Sequence, residues 1–191
     1  VPPAHILTAM KRVRARYAFA HSQVATLPLP GHQMQTMTNI VAEGLAAGLD
    51  DKALLRILQQ LRQRLDTISL PEAPELVTET LYAARDMARV GVSSTAIAEA
   101  LSAAHNQRYR PADINRIRQA FTHPSQTRQP DALARQYSQA IRQGKSPESV
   151  GSSRGSGFGR GAGAADIGGS DGDGDAGGSG GGGGAGGSGG G

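Results

Sequence analysis

The run 50-DDKALLRILQQLRQRLDTIS-69 decides the fold class. Leu54, Leu58, Leu61, Leu65 and Ile68 follow one another in steps of four and three. That spacing lays one apolar seam along an α-helix, whereas a half-buried strand would alternate every second residue. Lys52, Arg56, Arg62 and Arg64 mostly fall off the seam, on the side left to water. A helix is therefore expected from Asp50, a residue type that caps helix starts, to about Ser69. Pro71 and Pro74 follow it and end the pattern.

Working outward, the same period recurs on both sides. Met37, Ile40, Val41 and Leu45 mark a helix over about 33–47. Ile6, Met10, Val13 and Tyr17 mark another over 4–25, opened by Pro2 and Pro3 where the first turn tolerates proline. Leu27-Pro28-Leu29-Pro30-Gly31 separates the two. Downstream, helices are expected at about 75–90, 93–105, 111–122 and 130–143. No strand-like alternation interrupts the series.

One local unit occurs three times between helices, as Gly48-Leu49-Asp50, Gly91-Val92-Ser93 and Gly144-Lys145-Ser146. Three residues before each Gly stand Leu45, Ala88 and Ile141, and seven before stand Val41, Ala84 and Tyr137. Glycine supplies the left-handed conformation that closes a helix, and the next residue packs back on the last turn. Asp50, Ser93 and Ser146 are then expected to cap the following helix, with Pro147 reinforcing the third copy. The Gly spacings of 43 and 53 residues are unequal, so the unit is a recurring corner rather than a strict repeat. The fold expected is an all-α bundle of αα-hairpins, joined by Gly-apolar-Ser/Asp corners.

Composition divides the chain in two. Residues 151–191 hold 22 of the 27 glycines and are expected to form a disordered tail, leaving residues 1–150 as the helical domain. The domain carries 18 Lys or Arg against 12 Asp or Glu, and the tail two Arg against four Asp. Only seven aromatic residues are present and no Trp, so the core must rest on Leu, Ile, Val, Ala and Met. The absence of cysteine excludes disulfides, thiolate zinc sites and thiol catalysis. No stretch approaches the ~20 apolar residues of a membrane span.

The segment Val41–Leu58, matched by Ala84–Leu101, and the Gly-, Ser- and Arg-rich tail resemble a loose group of exported bacterial helical proteins. That resemblance covers about residues 40–190 and implies export and a helical fold. With no cysteine at its start, the chain does not resemble a mature lipoprotein. A beginning at Val1-Pro2-Pro3 rather than Met is expected either of a mature end left by signal-peptide removal or of a fragment of a longer chain.

Candidate functional residues fall into three groups. Lys11, Arg12, Arg14 and Arg16 could grip phosphates or an acidic membrane surface, or form the solvated side of an amphipathic helix. A degenerate helix-turn-helix at 76–121 would make 111–121 the recognition helix, offering Asn115, Arg116, Arg118 and Gln119 to base edges. The nine residues between Leu101 and Pro111 are longer than that motif's usual turn. In the tail, Arg154-Gly155 and Arg160-Gly161 resemble RNA-binding RG steps, while Asp171, Asp173 and Asp175 lack the rest of a calcium loop.

Chemistry is harder to find. His5, His21, His32, His105 and His123 show no metal-ligand spacing, and Glu75 and Glu79 read as acidic residues suited to a helix N-terminus. No catalytic residue, cofactor or metal is expected. The leading expectation is a non-enzymatic binding or scaffolding protein, periplasmic or secreted, whose partner is another protein or an envelope component. The alternative is a cytoplasmic nucleic-acid-binding protein, using the 76–121 unit and the tail. Oligomeric state stays open.

Overall fold

In the computed structural model, residues 2–69, 71–122 and 129–152 are described, with side chains to Val150. Eight helices occupy them: α1 (Pro3–Val24), α2 (Gly31–Ala46), α3 (Asp51–Leu65), α4 (Ala73–Arg89), α5 (Ser94–Asn106), α6 (Pro111–Phe121), α7 (Pro130–Arg142) and α8 (Pro147–Ser152). The described residues contain no strand. The all-α class and the helical hairpins follow the sequence. The readings placed on Arg154, Arg160 and the Asp171–Asp175 triplet lie outside the described residues.

The packing is regular. Helices α2, α4, α6 and α8 lie side by side in one layer, each against the next, while α3, α5 and α7 form a second. The hairpins α2–α3, α4–α5 and α6–α7 thus stack, each burying its apolar faces on its neighbours. Between the layers runs one continuous core, in which Leu54, Ile57, Leu61, Leu76, Ile97, Leu101, Ile114, Ile117 and Phe121 are fully buried. Each fully buried Leu, Ile or Phe contributes roughly 1.5–3 kcal/mol.

All three glycine corners close helices as expected. Gly48, Gly91 and Gly144 have φ of 114°, 87° and 73°. The N–H groups of Leu49, Val92 and Lys145 reach back to the carbonyls of Gly44, Met87 and Ala140, each at 3.0 Å. This is the six-to-one bond of the left-handed helix stop. Leu49 and Val92 are buried, and in the third copy Pro147 is buried in place of the exposed Lys145.

The caps divide. Asp50 accepts the Ala53 N–H at 2.7 Å, as expected. Ser93 stands at the N-cap position of α5 but makes no capping bond with its side chain. Its N–H is instead taken by Asp131 Oδ1 at 2.6 Å, and the neighbouring Ser94 hydroxyl is turned to the first corner. At the third corner, the Ser146 carbonyl accepts from the N–H and the hydroxyl of Ser149.

A fourth corner lacks glycine altogether. Arg108 holds a φ of 57°, and Tyr109 N–H bonds the Ala104 carbonyl at 3.0 Å, repeating the same stop at the end of α5. Helix α3 ends at Leu65, four residues before the expected Ser69. There Thr67 Oγ1 donates to the Arg64 carbonyl and accepts from Arg64 Nη1, satisfying the last turn locally.

Candidate interaction face

Helix α1 is divided along its length. Its C-terminal part is anchored: Ala20 and Val24 are fully buried, Phe19 packs beside them, and Arg62 of α3 donates to Thr26 just beyond. Residues 2–15 are exposed throughout, on every side of the helix. The apolar face foreseen from Ile6, Met10, Val13 and Tyr17 forms, but the molecule does not cover it. Those side chains, with Leu7, are 40–65% exposed. Ile6, Ala9, Met10, Val13 and Tyr17 together form one open apolar surface along the helix.

The electrostatics of this face are one-signed. Lys11, Arg12 and Arg14 are exposed and Arg16 half-buried, and the 22-residue helix contains no Asp or Glu. At 100° per residue, Arg16 flanks the Ile6–Met10–Val13–Tyr17 stripe on one side and Arg14 on the other, while Lys11 and Arg12 stand farther round toward the opposite face. The start of the helix carries no side-chain cap. A short helix that is uncapped, unpaired and solvated all round gains little stability on its own in water.

The second candidate group is arranged quite differently. On α6, Asn115 donates to Glu79 Oε2 at 2.8 Å, and Gln119 donates to Asn115 at 2.7 Å. Arg118 lies 3.4 Å from Glu79 and 3.8 Å from Asp86, with its guanidinium 5.2 Å from the centre of the Tyr82 ring. Arg85 stacks on the same ring at 4.8 Å and pairs with Asp86 and Glu43. Arg116 pairs with Asp113 at 3.3 Å and with Glu148 of α8 at 3.1 Å. The polar face of α6 is thus knitted to α4 and α8, and the four side chains have partners within the fold. Beside it, Glu75 and Glu79 line a cleft of about 350 Å³, with Glu79 already engaged.

The cations of α1 and the polar residues of α6 do not converge: α1 packs on α2, whereas α6 packs on α4 and α8. Among the described residues, no three His, Asp or Glu side chains come together to hold a metal ion, and no helix is long and apolar enough to cross a membrane.

His105 is a buried ionisable side chain that no sequence pattern singles out. Its Nε2 lies 3.3 Å from Thr80 Oγ1, whose own proton goes to the Leu76 carbonyl at 2.7 Å. The imidazole therefore donates from Nε2 to Thr80, tying α5 to α4. Burial, and secondarily the charge of Arg64, lower its pKa to about 4. On the opposite edge, burial and the nearby Asp113 carboxylate raise the Tyr109 phenol, which donates to the Lys145 carbonyl. Both residues tie elements of the fold together. No known protein family, curated protein or solved structure matches the chain.

Proposed function

We propose that this protein is a non-enzymatic helical binding or scaffolding protein that works outside the cytoplasm, and that the projecting part of α1 is its binding element. The observation that carries this reading is the exposure of Ile6, Leu7, Met10, Val13 and Tyr17 on a helix with four cations and no acid. An apolar stripe of that length, left open on a body whose other helices bury theirs, marks a contact surface. Export is supported by the resemblance of the Gly-apolar-Asp/Ser corners and the Gly-rich tail to exported helical proteins.

A photoreactive residue in place of Met10, introduced in the native host and followed by fractionation, tests both halves. Adducts in the envelope or secreted fraction are expected. A protein confined to the cytoplasm overturns the export half, and a Met10 position that forms no adduct in any fraction overturns the binding half. The alternative, cytoplasmic nucleic-acid binding, draws on the same α1 cations and requires Arg116 and Arg118 to leave their carboxylate partners. It predicts affinity that falls with log salt by about 0.9 per phosphate contacted.

A further inference from the structure

We propose that the projecting part of α1 docks in the interfacial layer of a bilayer containing anionic lipid, lying along the surface with its apolar stripe in the acyl boundary and its arginines among the headgroups. This rests on the reading of α1 as the binding element and names what it binds.

Two features single out that occupant. The stripe Ile6, Met10, Val13 and Tyr17, flanked by Leu7 and Ala9, needs an apolar phase to cover it. Arg16 on one side of the stripe and Arg14 on the other need anions at the rim of that phase. Long cationic side chains flanking an apolar strip can bury their stems while keeping their charge at the headgroups. An anionic bilayer surface offers both at once, and a basic helix with an apolar stripe and no acidic residue can lie along it.

The other occupants fit less well. A second copy pairing α1 with α1 across a two-fold axis would set four cations against four, with no carboxylate on either helix. A nucleic-acid backbone would satisfy the arginines and leave Ile6, Met10 and Val13 in water. Lipid binding through α1 needs no change in the folded body, because Ala20 and Val24 already hold the end of the helix in the core.

The chain has no tryptophan, so Met10→Trp in the full chain reports on this face alone. Its fluorescence is followed on adding vesicles of phosphatidylcholine, or of phosphatidylcholine mixed with phosphatidylglycerol. A blue shift with the mixed vesicles and none with the neutral ones is expected. Added to the Met10→Trp chain, Arg14→Gln and Arg16→Gln should each weaken that binding by about fivefold, as expected for one cation near an anionic surface. Ile6→Ser with Val13→Ser should abolish the shift while leaving the melting temperature unchanged, since both residues are solvated in the free protein. Absence of a shift with either vesicle overturns the proposal. So does a shift produced by concentrating the protein without lipid, or by duplex DNA in place of vesicles. If protein adducts still form at Met10 in the host while vesicles leave the fluorescence unmoved, the lipid assignment fails and the binding reading survives. Loss of both results removes both.

Discussion

Ser94 bonds the first corner from the second: its hydroxyl accepts the Asp50 N–H and donates to the Gly48 carbonyl, both at 2.9 Å. Asp131 extends the same edge by taking the Ser93 N–H. On the opposite edge, Tyr109 at the fourth corner donates to Lys145 at the third. The turns therefore do more than reverse the chain, since each one registers its hairpin on the next. Ser94→Ala removes two bonds at a partly solvated site and should cost about 1 kcal/mol in urea unfolding. An unchanged midpoint with an unchanged m-value would show that water replaces the hydroxyl without loss.

Arg108 occupies a position where the other three corners use glycine. A side chain at a φ of 57° is strained by contact between its Cβ and the backbone, by roughly 1 kcal/mol. The Arg108 side chain is exposed, so little packing is lost on removing it. Arg108→Gly should stabilise the protein by about 0.5–1 kcal/mol. A lower melting temperature for this variant would mean that the guanidinium contributes more than the backbone strain costs.

Two glycines of the first layer should respond with opposite signs. At Gly91 an added Cβ would meet nothing within 4 Å, but φ is 87°, so any cost is conformational. Gly91→Val should destabilise by more than about 1 kcal/mol. Gly44 is helical, and a Cβ there would lie 3.5 Å from Arg85 Cα and 3.7 Å from Leu49, at ordinary contact distance. Gly44→Ala should therefore gain helix propensity without a clash, stabilising by about 0.5–1 kcal/mol. Thermal melts of the two single variants separate these effects, and a destabilised Gly44→Ala would place α2 and α4 closer than the methyl allows.

These corners also show what the sequence could and could not reveal. Helix periods and glycine stops are local, so seven helices and three corners were legible from residues near one another in the chain. The corner at Arg108 was not, because its signal is burial of Leu101 and His105 seven and three residues earlier, without the glycine that marks the others. The polar face of α6 read as open because its partners, Glu79 and Glu148, come from more than thirty residues away on either side. On α1 the period correctly gave an apolar face, but periodicity does not say what covers it. At Ser93 the side chain makes no capping bond, and the Asp131 carboxylate that takes its N–H comes from another hairpin, beyond the reach of any local pattern.

His105 gives the fold a pH dependence whose sign can be worked out. Its pKa is lowered from 6.5 to about 4 in the folded protein, chiefly by burial and then by Arg64. Between those values the unfolded chain binds a proton that the folded one refuses, so protonation favours unfolding. The contribution is fully present above pH ~6.5 and is lost progressively as pH falls toward about 4. At pH ~5 the loss should be about 2 kcal/mol, from roughly 1.4 kcal/mol per pH unit. Other groups titrate in the same range, so the measurement is a difference. Urea unfolding at pH ~7 and ~5 is compared for the wild type and for His105→Gln, which keeps a donor for Thr80 without a titrating ring. The wild type should lose about 2 kcal/mol more than the variant across that interval. Equal losses would mean that the imidazole is protonated as readily in the fold as in the unfolded chain, and that burial beside Arg64 does not hold it neutral.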